Sequence, residues 1–314
     1  MAGFLLLAVS AVLLGVGAEL FAEHASAAGR RLGVSVLAIG LLLAGAEPEE
    51  LVTAVFASAA GHPGIAAGDA IGANVTMLTL VLGLAALARP LRFDGRVRCY
   101  ALAAAAAGAA AAVALLGGGV GRAGGAVLVA LYVLVVAVIW RRERRPPAFG
   151  EAAEIEEEET HKGPETRSRA DTRAALLVIA GVLAMALGGR VAVAGAERIV
   201  STLGLRESVV GLTLVALATT AELFALVWAA FRRGIEELAL AGVLGSAIYN
   251  ATATLGVAAL VRPLAVGGVT GQAALAAAIP VFLVTWTLAV KSVGRVGGAV
   301  LLAAYGSYLA LTFA

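Results

Sequence analysis

The sequence predicts an all-α integral membrane protein of about ten transmembrane helices, arranged as two five-helix repeats of inverted topology. Three observations carry that prediction. The 314 residues are 61% hydrophobic and only 14% charged, with a mean hydropathy of +0.96, whereas soluble domains hold about 45–50% apolar residues. The apolar residues are gathered in long blocks, several of which approach the roughly 20 residues that cross hydrocarbon as a helix. The pattern of the first half also recurs in the second.

In chain order the first-half blocks are Phe4–Leu20, Leu32–Ala44, Ile65–Ala88, Tyr100–Leu116 and Ala126–Trp140. The second half supplies Ala174–Leu187, Val209–Phe231, Leu238–Leu260, Ala273–Val290 and Gly298–Phe313. A lipid-facing block must satisfy its own backbone hydrogen bonds as a helix, and none of these alternates as barrel strands do. Their alanines and glycines, 39 glycines in the whole chain, suit helices that pack closely where lipid gives no hydrophobic drive to associate. The first block has no Lys or Arg before Phe4, so it reads as a span and not as a signal peptide.

The hydrophilic stretch 141–173, with its run EAAEIEEEETHKGPETRSRADTR, reads as a solvated linker between membrane repeats 1–140 and 174–314. An extracytoplasmic N-terminus leaves only Arg122, Arg190, Arg198, Arg206 and Arg262 outside, so 18 of the 23 Lys and Arg fall on the cytoplasmic side. The expectation is a multi-pass protein of the cell membrane with both termini extracytoplasmic and the linker cytoplasmic. Five spans per half then turn the second half upside down relative to the first. The single Cys99 allows no internal disulfide, and His24, His62 and His161 are too scattered to make a Cys/His metal cluster with it. Neither nucleic acid nor a bound cofactor is expected, and the oligomeric state is open.

The repeat is explicit in GDAIGANVTMLTLVLGLAALARPL and GVLGSAIYNATATLGVAALVRPL. Superposing Gly72 on Gly245 gives an offset of 173, which also pairs Gly83 with Gly256 and Arg89-Pro90-Leu91 with Arg262-Pro263-Leu264. Upstream, LGVSVLAIGLLLAGAEPEEL matches LGLRESVVGLTLVALATTAEL in pattern, with Glu50 and Glu222 separated by 172. Inverted repeats of this kind build secondary transporters.

Each repeat carries acid in an apolar stretch: Glu47, Glu49 and Glu50 in the first, Glu222 in the second. A carboxylate at mid-bilayer costs roughly 2.5–3.5 kcal/mol or more unless paired, hydrated or protonated, so it marks a functional site unless a helix end brings it to the interface. Gly45 and Pro48 interrupt the first helix, and Thr219-Thr220 bend the second and supply hydroxyls. The following helices add Asp69, Gly72 and Asn74, then Gly245, Ser246 and Asn250. Asn250 shares a helical face with Ser246, whereas the equivalent first-repeat positions are Ala73 and Met77. The candidate cation-binding residues are Glu50, Glu222, Glu47, Thr219, Asn74, Ser246 and Asn250, with the choice of Glu47 or Glu49 as the acid facing the site left open by the sequence. Such an oxygen set suits Ca²⁺, with 6–8 ligands at roughly 2.3–2.6 Å, or Na⁺, and not zinc or copper.

On these residues the chain resembles the calcium/cation antiporter superfamily, most closely the prokaryotic sodium/calcium exchangers. The resemblance runs over nearly the whole chain through the LGVS…IG and LGL…VGLT lead-ins, the glutamate segments followed by Leu51 and Leu223, and the turns GANVTM and GSAIYN. It implies two inverted five-helix halves, ion sites at mid-membrane between the glutamate helices, and countertransport of Ca²⁺ against Na⁺ or H⁺. Glu50 and Glu222 would be the central Ca²⁺/Na⁺ ligands, with Glu47 and Thr219 three residues earlier and Ser246 and Asn250 as the second-repeat polar pair. The family's Gly-Thr-Ser-Leu-Pro-Glu pattern stands here as GAEPEE and ATTAE, and Ala73, Met77 and Ala247 replace polar family residues. Fewer hydroxyls and the extra acid at Glu47 keep an H⁺-coupled antiporter as the alternative. From another class, adjacent Glu49 and Glu50 suggest an intramembrane glutamate-dependent hydrolase, which also needs an intramembrane His and a nearby Arg. A secondary active transporter, not an enzyme, is the expectation.

Overall fold

Where the apolar blocks fall among the described residues they fold as helices, as a hydrocarbon solvent requires. A computed structural model of the chain describes residues 1–31, 47–92, 95–143, 167–221, 223–224, 227–228, 236–290 and 292–314. The first half comprises α1 (Ala2–Arg31), α2 (Pro48–Ala60) and α3 (Pro63–Val75), which continues through a π-helical turn (Thr76–Val81) into α4 (Leu82–Ala88). The strand β1 (Leu91–Arg92), α5 (Gly95–Leu115), β2 (Gly119–Val120) and α6 (Arg122–Glu143) follow. The second half opens with α7 (Arg167–Leu203), then α8 (Glu207–Val210), a π turn (Gly211–Val215) and α9 (Ala216–Thr219). It ends with α10 (Glu236–Tyr249), a π turn (Asn250–Thr254), α11 (Leu255–Val261), β3 (Leu264–Ala265), α12 (Thr270–Val290), β4 (Ser292–Val293) and α13 (Arg295–Phe313).

Among the described residues, eight helical stretches are long and apolar enough to cross a membrane, against about ten expected. Residues 32–46 and Glu222, both central to the sequence reading, lie outside the described residues, as does 144–166 of the expected linker. Helix α6 runs on to Glu143 and α7 begins at Arg167, so helix extends into both ends of the 141–173 stretch.

Polarity runs inside out. Leu5, Val12, Val113, Val127, Leu183 and Leu311 are exposed, while Glu50, Asp69, Asn74, Ser246 and Asn250 are buried. Water would penalise such a surface; lipid does not. The stretch Pro63–Ala88 is 83% buried and Leu240–Val261 is 89% buried, against 28–44% for the other six spans. These two polar-bearing stretches are therefore the centre of the bundle.

The 173-residue offset survives in three dimensions. It carries β1 onto β3, β2 onto β4 and α4 onto α11. Strand β1 pairs antiparallel with β4, Leu91 opposite Val293, and β2 with β3, Val120 opposite Leu264, so exchanging the halves converts one sheet into the other. Glycine contacts obey the same exchange. A Cβ on Gly298 would lie 2.8 Å from the Gly83 carbonyl, and one on Gly256 would lie 2.8 Å from that of Gly125. Helices α1 and α7 likewise meet backbone to backbone at Gly17 and Gly181, the close approach that small residues permit in membranes.

Candidate functional site

Pro48 opens α2 at a position where its missing N–H is no loss, and the chain leaves helical geometry at Glu47, with φ −97° and ψ 79°. Glu49 and Glu50 occupy the first turn, where free N–H groups and the helix dipole favour negative charge. All three acids are buried, at 2%, 1% and 0% exposure. The far end of α2 is fixed to α11: the Ser58 hydroxyl donates to the Ala258 carbonyl at 2.7 Å. Gly61 then terminates the helix at φ 92°, a left-handed conformation suited to glycine.

Helix α10 and its π turn face these acids. Ser246 Oγ donates to Glu47 Oε1, and Asn250 Nδ2 donates to Glu50 Oε2. Thr254 Oγ1 donates to Asn250 Oδ1 at 3.1 Å, which turns the amide nitrogen toward Glu50. Asn74 Nδ2 donates to the Ala247 carbonyl at 2.9 Å and so ties α3 to α10 beside Ser246. The π turns at 76–81, 211–215 and 250–254 cluster on the elements that carry these groups, and such bulges are frequent at functional sites.

The second glutamate segment is built differently. Thr219 closes α9, and Thr220, at φ −82° and ψ 3°, ends it. Thr219 Oγ1 donates to Asp69 Oδ1 at 3.0 Å, with both side chains buried. Helix α3 presses against the α8–α9 segment through glycine. A Cβ on Gly72 would meet the Leu212 carbonyl at 2.2 Å, and one on Gly68 the Leu212 nitrogen at 2.7 Å.

The electrostatics are one-sided. Glu47, Glu49, Glu50 and Asp69 are buried, yet among the described residues no Lys, Arg or His is buried. Carboxylates taken out of water are costly unless a proton, a cation or a charged group neutralises them. Among the described residues no three Asp, Glu, His or Cys side chains converge on a single point. A cation here would draw on neutral oxygens as well, and Ser, Thr and Asn supply lone pairs for that.

Of the predicted residues, the structure brings Glu47, Glu50, Ser246 and Asn250 together, with Asn74 adjoining. Thr219 stands on Asp69, and Glu222 lies outside the described residues. Glu47, not Glu49, takes the Ser246 hydroxyl. Asp69 stands outside the predicted set, yet it carries the same signal as Glu50, a carboxylate inside an apolar span. His24 Nδ1 lies 3.0 Å from the Leu20 carbonyl. His62 lies between Glu197, at 2.6 Å, and Glu207, at 2.8 Å, where the α2–α3 corner meets the α7–α8 corner.

The sodium/calcium exchanger protein family matches residues 2–141 and 173–314, leaving out little but the hydrophilic stretch. The chain is similar to the putative antiporter CaxA of Alkalimonas amylolytica, 27% identical over 314 residues and 97% of each chain. It is 36% identical over 93 residues to the sodium/calcium exchanger MaX1 of Methanosarcina acetivorans, covering 29% of this chain and 27% of that one. Among solved structures, the sodium-calcium exchanger NCX_Mj soaked with 10 mM Na⁺ and 10 mM Sr²⁺ matches 98% of each chain, with a TM-score of 0.64 and 25% identity.

Proposed function

The chain belongs to the sodium/calcium exchanger family and is a cation antiporter, and from that premise we propose that it exchanges Ca²⁺ for Na⁺ by alternating access at one central site. Glu50 and Glu222 carry the charge exchange, with Glu47, Ser246 and Asn250 as neighbouring ligands. The observation behind this reading is the group of buried carboxylates at the start of α2 that meets the Ser246 hydroxyl and the Asn250 amide. A hard, oxygen-rich, net-negative site is selective for cations of the Ca²⁺ and Na⁺ kind.

Connectivity supports ten crossings in two inverted halves. Strands β1 and β4 are hydrogen-bonded and so share a membrane face. Between them run α5, α6, α7, the α10–α11 stretch and α12. Five crossings would leave the strands on opposite faces, so a sixth is needed between α7 and α10, where α8 and α9 lie. Gly3 packs against Gly195 near the end of α7, and His62 contacts Glu197 and Glu207. The start of α1 and the α2–α3 corner therefore share a face, which requires an even number of crossings between them. The excess of Lys and Arg near β1, β4 and the linker assigns that face to the cytoplasm.

The test is calcium-45 uptake into proteoliposomes under an outward Na⁺ gradient and, separately, an outward H⁺ gradient, with E50Q and E222Q alongside. Sodium-driven uptake lost in both variants is the expected result. Uptake under the proton gradient alone would move the protein to the H⁺-coupled alternative that Ala73 and Met77 suggest. No uptake by folded protein under either gradient would refute calcium exchange.

A further inference from the structure

The outer end of α2 carries a titratable contact that the exchange site does not use. His62 stands in the corner between α2 and α3, with its Nε2 2.6 Å from Glu197 Oε1 on α7 and its Nδ1 2.8 Å from Glu207 Oε1 on α8. The ring thus lies between two carboxylates, one at each nitrogen. A neutral imidazole has one N–H and one lone pair, so it donates to only one of them while the other faces the lone pair. An imidazolium donates to both. Only the protonated ring makes the whole bridge, and histidine is the side chain whose charge ordinarily changes near physiological pH.

Close helix packing keeps the three groups together. A Cβ on Gly64 would stand 2.8 Å from the Glu207 side chain, and one on Gly211 2.8 Å from the Ile65 carbonyl, so the first turn of α3 lies directly on α8 and the turn after it. Gly189 of α7 packs likewise against Val52 and Phe56 of α2. The other charged groups at this corner are Arg190 and Arg198 on α7, Arg206 before α8, the Met1 amino group at the start of α1, which packs on α7 at Gly3, and Arg262, whose guanidinium rests on Gly61. Side-chain exposures of 24% for His62, 46% for Glu197 and 36% for Glu207 open the bridge to protons from solvent. One span, Pro63–Ala88, separates this corner from β1, so on the orientation assigned above the corner is extracytoplasmic. At the 173-residue offset His62 corresponds to Ile235, which takes no proton, so the repeat does not supply the same bridge at the opposite face.

We propose that His62 is an extracytoplasmic proton switch: protonated, it clamps the α2–α3 corner of the first repeat to the α7–α8 corner of the second and slows exchange; neutral, it releases that corner. The effect on transport rests on the exchange reading above, whereas the clamp is a property of the three side chains. Helix α2 is 13 residues long with Glu50 in its first turn, so a rod of about 18 Å joins that acid to the His62 corner. Two links hold the outer end of the rod to the second repeat. The bond from Ser58 to Ala258 has no titrating group, and the bridge from His62 to α7 and α8 has three. Alternating access moves one repeat against the other, and such motion at this corner stretches the bridge. The whole bridge needs the proton, so acid favours the clamped corner and the effect is lost as the pH rises through the range in which imidazoles titrate.

The test makes two measurements on the full-length protein, for wild type, H62Q, which keeps hydrogen-bonding groups but no charge, and E197Q. The first is the melting temperature between about pH 5.5 and about pH 8. The second is the initial rate of sodium-driven calcium-45 uptake into proteoliposomes, with the pH varied on one side of the bilayer at a time. The melting temperature of H62Q should fall below that of wild type by a margin that widens toward acid. Acid on the extracytoplasmic side should slow wild-type uptake about threefold, the scale of a partly exposed ion pair; H62Q should lack that slowing, E197Q should lose most of it, and both should match wild type at about pH 8. A melting difference that is the same across the range overturns the switch. Slowing that H62Q retains in full belongs to other groups and overturns it as well. Slowing by acid on the opposite side alone overturns its placement. If folded protein takes up no calcium in any variant, the exchange reading fails, and the melts decide the clamp by themselves.

Discussion

The two glutamate segments descend from one repeat, yet their chemistry differs. On α2 three carboxylates crowd the first turn and meet a hydroxyl and an amide from α10. On α9 the counterpart of Glu47 is Thr219, and the carboxylate it meets comes from α3. Around both segments the scaffold has kept its symmetry, in the β1–β4 and β2–β3 pairs and in the Gly83–Gly298 and Gly125–Gly256 contacts. The comparison separates two constraints. Backbone approach at a helix crossing admits almost nothing but glycine, so it is held in both halves. A ligand oxygen can be supplied from either of two facing helices, so acid and hydroxyl exchange places provided that each pair keeps its charge.

Removing charge from the first segment should have the largest effect. Glu50→Gln keeps the shape and the contact with Asn250 but takes away a central charge; calcium uptake should fall about 100-fold, or ~2.7 kcal/mol. A drop of less than threefold would shift the exchange onto Glu47 and Glu222. Next comes the crossing that serves the second segment. Gly72→Ala would press a methyl to 2.2 Å from the Leu212 carbonyl, and overpacking of this kind costs about 1–3 kcal/mol. Its melting temperature should fall. Gly83→Ala should be milder, because its Cβ would stand 3.0 Å from the Leu302 side chain and 3.2 Å from the Gly298 carbonyl, against 2.2 Å at Gly72. Ser246→Ala, which removes one hydrogen bond to Glu47, should weaken calcium affinity about tenfold, in line with the loss of a single bond to a charged acceptor.

Much of this comparison was legible in the sequence, for identifiable reasons. The internal repeat was visible because Gly83, Gly256 and the Arg-Pro-Leu corners recur at one offset, and both glycines sit where helix backbones approach closely. That acid from the first repeat is matched by hydroxyl and amide from the second was legible, because Ser246 and Asn250 share a helical face while their counterparts are Ala73 and Met77; which of Glu47 and Glu49 takes the hydroxyl was not. Nor was the partnership of Asp69 with Thr219. It depends on how far α3 slides along the α8–α9 segment, and that register is set by Gly68 and Gly72 against Leu212, a contact 140 and more residues distant in sequence. The short strands were also unseen, since two-residue pairs such as Leu91–Arg92 leave no periodic trace.

The smallest expected effect tests how far the first segment depends on the orientation of one amide. Asn250 carries an oxygen and a nitrogen of nearly equal size, and only the nitrogen donates to Glu50. Thr254, one turn on, selects that orientation by donating to Oδ1 at 3.1 Å. Thr254→Val removes the donor and keeps the volume, so folding should be unchanged. The lost bond, about 0.5–1.5 kcal/mol, should appear as a calcium affinity weakened two- to tenfold. At the 173-residue offset the first-repeat counterpart of Asn250 is Met77, which carries no amide, so this dependence is confined to the first segment.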